Sequence, residues 1–468
     1  MSQFKTLPYA HQLTALERSQ GKTEYGFLME MGTGKSKVAI DDTARLWRHG
    51  HIQGMFIVAN KGSYLNWATK EIGIHLPDDI PRTVRYWDGR IKEQGPPAFS
   101  SPALDVFVMN VEALAFPKSY KAAEDFLKAC PSIFILDESS KIKNQKALRT
   151  KAAIKLGRLA KYRRIMSGSP ITKNPLDLFA QCQFLRPGIL GFTSYFSFRA
   201  HYANLFQMDA GNRSFKIVKG YKNLEELSAK LTAFTYRVTK DECLDLPPKL
   251  FNTLDVELTP EQNGLYKQLK EEAMAEFGNG GVTFAPLAIT RILRLHQMIC
   301  GHLPDQDGTV HEVPSNRIKV VMDWLEETSG KVTIWACFVH DILALEKAIA
   351  EVYGAESVVT YYGATKNRVE VIESFENGPV RFFIGMPKVG GYGNTMVASN
   401  TVLYYSYDDD LDSHSQSQER THRIGQKRAV SYTYVMARGT VDEKIAKSNR
   451  EKRQIAGEIL GDKWKEWI

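Results

Sequence analysis

At 468 residues the chain exceeds what one hydrophobic core ordinarily organises, so two domains are expected. Hydrophobic residues make up 43% of it and no low-complexity run interrupts them, which excludes a largely disordered chain. Lys and Arg number 61 against 53 Asp and Glu, a net charge of +8 that suits a polyanionic partner without demanding one.

The start, Met1-Ser2-Gln3-Phe4-Lys5-Thr6-Leu7, has no signal-type apolar stretch, and no run of about 20 apolar residues occurs. The expectation is a protein without a membrane span, in the cytoplasm of a bacterial or phage-infected cell, or in the nucleus if eukaryotic. The five cysteines (Cys130, Cys182, Cys243, Cys300, Cys337) never form a CxxC pair, so neither a disulfide framework nor a zinc site is expected. Cys300 and His302 lie close together, but no second ligand pair accompanies them.

Along the chain, short β-branched and aromatic runs alternate with longer amphipathic stretches. Residues 26–30, 55–59, 106–110, 133–136 and 164–167 are predicted strands, near-continuous apolar runs as expected of parallel strands buried on both faces. Residues 332–336, 358–361, 381–385, 401–405 and 432–436 repeat the pattern. Between the two sets, from about 175 to 312, few strand signals occur, and 224–232, 260–277 and 288–298 are predicted helices. Leu246-Pro247-Pro248-Lys249 breaks the pattern and marks a connector. The economical reading is α/β, with two parallel-sheet lobes in tandem: 1–245, helical from about 175, and 246–468, with a helical insertion to about 312.

Met29-Glu30-Met31-Gly32-Thr33-Gly34-Lys35-Ser36 follows the first predicted strand and precedes a helix start. Gly32 and Gly34 let backbone N–H groups approach phosphate oxygens, with Thr33 between them. Lys35 is placed to reach the β and γ phosphates of ATP, and Ser36 to ligate Mg²⁺. Met29 stands where the strict pattern has Gly, and a bare Gly-Lys-Ser also occurs as a turn capping a helix. About 100 residues on, the apolar run Ile133-Phe134-Ile135-Leu136 ends in Asp137-Glu138. Asp137 can hold Mg²⁺, and Glu138 can orient and deprotonate a water. A strand ending in solvated acids is the plain alternative, and the upstream loop weighs against it.

From Lys141 to Arg164 the chain carries ten Lys or Arg and no Asp or Glu. Lys151, Lys155 and Arg158 fall at helical spacing. The run is either a solvated face or an edge that tracks nucleic-acid phosphates, Lys141 and Lys143 included. Trp335, Phe338 and Tyr392 could stack on bases, although Trp335 lies in an apolar run that favours core packing.

The order of these motifs resembles superfamily-two helicase-like ATPases of the Swi/Snf type. Pro8-Tyr9-Ala10-His11-Gln12 is similar to the adenine-reading element, and Phe56-Ile57-Val58-Ala59-Asn60-Lys61 with Trp67 to motif Ia. Met166-Ser167-Gly168-Ser169-Pro170-Ile171 resembles the family's LTGTPI run. Arg237-Val238-Thr239-Lys240 with the Leu-Pro-Pro-Lys run resembles the inter-lobe signature, and Val389-Gly390-Gly391-Tyr392-Gly393 motif V. Gln416-Ser417-Gln418-Glu419-Arg420-Thr421-His422-Arg423-Ile424-Gly425-Gln426 is very close to motif VI. Together the motifs span residues 7 to 445.

The resemblance implies two tandem RecA-like lobes and a nucleic-acid-stimulated ATPase using ATP and Mg²⁺. It implies that Gln12, Gly393 and Gln416 contact ATP and that Arg420 and Arg423 act as arginine fingers. Nucleic-acid contacts are implied at Asn60, Lys61, Asn110, Lys388, Gly390 and Gly391. The function expected is a translocase on double-stranded or branched DNA, monomeric, with protein partners unspecified. An RNA helicase or RNA-polymerase-recycling ATPase is one alternative, and an ATP-gated DNA clamp another. Ser139 and Ser140 depart from the family's DEAH-like quartet, Thr395 stands where Asn is usual, and Tyr407-Asp408-Asp409-Asp410 replaces a tryptophan-containing stretch.

Overall fold

A computed structural model describes residues 4–88, 103–210, 213–278, 284–305, 307–390 and 395–462. Its strands are, in chain order, β1 (Glu24–Met29), β2 (Gly54–Ala59), β3 (Arg82–Tyr86), β4 (Leu104–Asn110), β5 (Ser132–Asp137), β6 (Tyr162–Met166), β7 (Ala203–Ala210), β8 (Arg213–Tyr221) and β9 (Thr235–Val238). They continue as β10 (Lys249–Val256), β11 (His302–Pro304), β12 (Val310–Glu312), β13 (Val332–Trp335), β14 (Val358–Tyr361), β15 (Phe382–Gly385), β16 (Thr401–Tyr404) and β17 (Val430–Ala437). One sheet has the order β3-β4-β2-β5-β6-β1-β9, another β10-β17-β16-β13-β15-β14. Every neighbouring pair in both is parallel. The β7–β8 and β11–β12 pairs stand apart as two-stranded sheets.

The central strands of each large sheet are buried on both faces, which is why they are apolar rather than alternating. In β2, Phe56 and Val58 enter one core and Met55, Ile57 and Ala59 the other. In β13, Trp335 faces one core and Val332 and Ile334 the opposite one. Trp335 is fully buried and meets Phe383 edge-on, so it packs the core and cannot stack on a base.

The chain divides into two compact units. The first holds residues 4–204, 220–245 and 454–462, the second 205–219 and 246–453. The change after Asp245 falls where the Leu-Pro-Pro-Lys connector begins. Two sequence expectations need correction. Residues 454–462 group with the first unit, because Ile455, Ala456, Ile459 and Leu460, late in the helix Val441–Leu460, pack on its core. There the Asp462 carboxylate also accepts two hydrogen bonds from Arg237, at 2.7 and 2.8 Å. The region 175–312, expected to be helical, contributes edge strands as well. β9 pairs with β1, and β10 pairs with β17 over eight residues. β10 is half-exposed, so its sequence carries no continuous apolar signal. The expected helices do form, at Leu224–Thr232, Pro260–Gly278 and Phe284–Ile299. Among the described residues no helix is long and apolar enough to cross a membrane.

Each unit is pinned by one fully buried Arg–Asp pair. In the first, Arg164 donates to Asp42 at 2.8 Å, and its other nitrogens donate to the carbonyls of Lys22, Thr23 and Arg163. In the second, Arg317 pairs with Asp442 at 2.9 Å and donates to the carbonyls of Tyr405 and Val435. Removing one partner of such a pair leaves a buried charge uncompensated. Asp42→Ala should therefore destabilise the first unit by about 3–5 kcal/mol, read as a fall in the urea midpoint of that unit's transition.

Candidate active site

The loop between β1 and the helix Lys35–Arg48 is shaped by two left-handed glycines, Gly32 (φ +80°) and Gly34 (φ +85°). A Cβ at Gly34 would lie 2.2 Å from Gln12 Nε2, so backbone conformation and space both demand glycine there. Gln12 and His11 hold the loop from the N-terminal helix, each 2.8–3.0 Å from the Thr33 carbonyl oxygen. The Thr33 hydroxyl donates to the Glu30 carbonyl at 2.7 Å. Gln12, expected to read a base, thus also buttresses the loop. Lys35 heads the helix and folds back toward the Glu30 carbonyl, 3.3 Å away.

The acidic pair ends β5, two strands from β1 in the same sheet. The Trp67 indole N–H donates to Asp137 at 2.9 Å, and the Glu138 backbone N–H to its other oxygen at 3.1 Å. Burial pushes the Asp137 carboxyl up, while the Trp67 hydrogen bond, the Lys35 charge and the Glu138 N–H hold it down. Burial likewise pushes the Lys35 ammonium down, and Glu138 and Asp137 draw it back up. Glu138 has a left-handed backbone (φ +51°), a conformation costly for a residue with a side chain and common at sites where geometry matters. The Ser36 hydroxyl and the Asp137 carboxylate are hard oxygen donors. These residues fit Mg²⁺.

A further layer ties this pair to the loop after β6. The Ser167 hydroxyl donates to Glu138 at 3.4 Å. The Ser139 hydroxyl donates to Gln181 Oε1 at 2.6 Å, and the Gln181 amide donates to the carbonyls of Pro170 and Asp177. The backbone N–H of Lys240 donates to Glu30 at 2.7 Å, and a Cβ on Gly32 would meet the Lys240 tail at 3.3 Å. Arg237 donates to the carbonyls of Leu28 and Gly168. Gln181 carries no motif and was invisible in the sequence. Trp67 was visible only as an aromatic beside motif Ia, although a buried indole N–H needs an acceptor.

In the second unit, Arg420 is buried near the end of the helix Leu411–Thr421, and Arg423 lies two residues beyond it, half-buried near Glu376. The His422 ring is 2.8 Å from the Pro247 carbonyl oxygen, and Lys249 pairs with Glu419 at 2.8 Å, so the connector braces this segment. Gln416 is buried and donates to Asp412 at 2.9 Å. Lys388 pairs with Asp408 at 2.5 Å, and Gly390 ends the short helix Pro387–Gly390. Gly391, Tyr392 and Gly393 lie outside the described residues.

The first-unit candidates for nucleic-acid contact differ in setting. Lys61 is exposed, whereas Asn60 is buried with its amide nitrogen unpartnered. Asn110 caps the turn Val111–Ala115, accepting the Ala113 N–H at 2.9 Å. Lys141 and Lys143 are half-buried just after the acidic pair, and Lys143 donates to the Thr172 hydroxyl. The basic run splits in two. Arg163 and Arg164 are consumed by structural contacts, while Lys146, Lys151, Lys155 and Arg158 are exposed.

Comparison with known proteins fits this arrangement. Residues 12–303 match the SNF2-related domain, and residues 316–425 the helicase conserved C-terminal domain. The chain belongs to the SNF2-related family. Similar proteins include an uncharacterized ATP-dependent helicase of Mycoplasma genitalium (25% identical over 331 residues). TATA-binding protein-associated factor 172 of Homo sapiens is 26% identical over 380 residues. DNA annealing helicase and endonuclease ZRANB3 of Mus musculus is 25% identical over 334 residues. Each match covers 70% of this chain, and the chain spans only 30%, 20% and 30% of these relatives' lengths respectively. A solved Sulfolobus solfataricus SWI2/SNF2 ATPase core in complex with dsDNA aligns over 98% of this chain and 94% of its own, with TM-score 0.43 and 23% identity.

Within this SNF2-related chain the substituted quartet has its own wiring. Ser139 reaches the loop after β6 through Gln181, and the Ser140 hydroxyl is buried without a partner. Trp67→Phe keeps the aromatic volume but removes the donor to Asp137. It should weaken apparent Mg²⁺ affinity or ATP turnover by about 10–100-fold, as loss of a ligand's hydrogen-bonded partner does; Mg²⁺ titrations of ATPase rate check this.

Proposed function

We propose that the chain hydrolyses ATP and couples the hydrolysis to movement along double-stranded or branched DNA, acting as a monomer. The observation that carries the reading is the grouping of Lys35, Asp137 and Glu138 at the carboxyl ends of two strands of one sheet. Lys35 counters negative charge on the phosphates. Ser36 and Asp137 hold Mg²⁺, which when bound neutralises the charge that develops on the phosphoryl oxygens. Glu138 orients a water and takes its proton, and the Ser167 hydroxyl bears on that carboxylate. Gly32, Thr33 and Gly34 offer backbone N–H groups to phosphate, and Gln12 faces the base. Gln416 and Gly393 complete the nucleotide contacts, and Arg420 and Arg423 supply positive charge to the transferring phosphoryl group.

DNA is favoured as partner by the similarity to the DNA annealing helicase and endonuclease ZRANB3 of Mus musculus. Sequence-independent contacts at Asn60, Lys61, Asn110, Lys141, Lys143, Lys388, Gly390 and Gly391 suit a motor, because tight base reading would stall it. Such binding should weaken steeply with salt.

The test is a set of ATPase rates with single-stranded, duplex, forked and four-way DNA and with RNA, with triplex displacement alongside. Duplex or branched DNA should stimulate most, and the triplex strand should be displaced. Lys35→Ala and Glu138→Gln should abolish turnover, and Arg423→Ala should cost about 10³-fold or more. Greater stimulation by RNA would turn the reading toward an RNA-directed ATPase. Brisk hydrolysis without displacement would turn it toward an ATP-gated clamp. Near-normal turnover of Arg423→Ala at saturating DNA would remove its role.

A further inference from the structure

A second constellation lies within the other unit, on residues the proposed ATP chemistry does not use. His302 begins β11, three residues after the helix Phe284–Ile299, and His340 and Asp341 stand in the first turn of the helix Val339–Tyr353. One ligand atom from each lies within 4.8 Å of the others, the only such group of three found among the described residues. His302 is 2% exposed and Asp341 1%. His302 Nδ1 and Asp341 Oδ1 are 3.3 Å apart, yet neither makes a hydrogen bond. Buried polar atoms are rarely left so.

The surroundings have the build of a ligand shell. The other Asp341 oxygen accepts the Ser406 hydroxyl at 2.6 Å, and Ser406 in turn accepts the Cys337 N–H at 2.9 Å. That chain fixes the carboxylate with its second oxygen toward His302, as hydrogen-bonded partners orient metal ligands. Phe338 covers one side, 5.2 Å from the His302 ring centroid. The His340 ring stacks on His302 at 4.5 Å and is half-buried, which leaves a way in.

We propose that His302, His340 and Asp341 bind a first-row transition-metal ion, Zn²⁺ by ligand type, tying β11 to the helix Val339–Tyr353. Two imidazoles and one carboxylate suit Zn²⁺ and leave a fourth position for water. The sequence hid the site because its ligands are neither paired by spacing nor built on cysteine.

Untagged full chain, stripped with chelator, is titrated with Zn²⁺ by calorimetry and with Co²⁺ by visible absorption. The expected result is one ion per chain, a rise in Tm on adding Zn²⁺, and a Co²⁺ spectrum without thiolate bands. His340→Ala, at a half-buried position, should keep its circular dichroism and lose at least about tenfold in affinity together with the Tm rise. Asp341→Asn should behave likewise in binding. Absence of saturable binding to the wild-type chain overturns the proposal, as does binding that persists undiminished in His340→Ala.

Discussion

At the candidate active site two opposite charges, the Lys35 ammonium and the Asp137 carboxylate, are both drawn out of water. Burial works against the Lys35 ammonium and against the Asp137 carboxylate, and each relieves the other. The loop glycines, the Trp67 donor and the strained Glu138 backbone all serve to keep these groups in place.

Around this pair the hydrogen bonds run toward the segment after β6 and toward the short helix Lys240–Cys243. The Ser139–Gln181–Pro170 bonds are buried, so there a displaced group would lose its partner rather than find water. These bonds link the position of Glu138 to Ser167, and that of Ser139 to Gln181 and the Pro170 carbonyl. The serines that replace the family's usual residues are therefore not neutral: Ser139 has taken up a hydrogen bond of its own.

Positive charge is put to two distinct uses. Arg164 and Arg317 are fully buried structural cations, each saturated by a carboxylate and several backbone carbonyls. Guanidinium suits this task because it stays charged and offers a planar fork of donors. The exposed lysines from Lys146 to Lys155 have no such constraint and are free to meet a polyanion.

The legible parts of this protein were those in which a local run of residues has one physical purpose. Fully buried parallel strands must be apolar along their whole length, so the central strands could be placed to within about two residues. A phosphate loop needs glycine where φ is positive and a lysine at the helix start, so Gly32, Gly34 and Lys35 announced themselves. Half-exposed edge strands such as β10 carry no such signature, and their pairing is decided by the neighbour that receives them. The partners of Asp137 and Asp341, and the return of residues 454–462 to the first unit, join positions far apart in the chain. Only the folded arrangement decides such contacts, because burial and hydrogen-bond geometry are properties of neighbours in space and leave no periodic trace along the sequence.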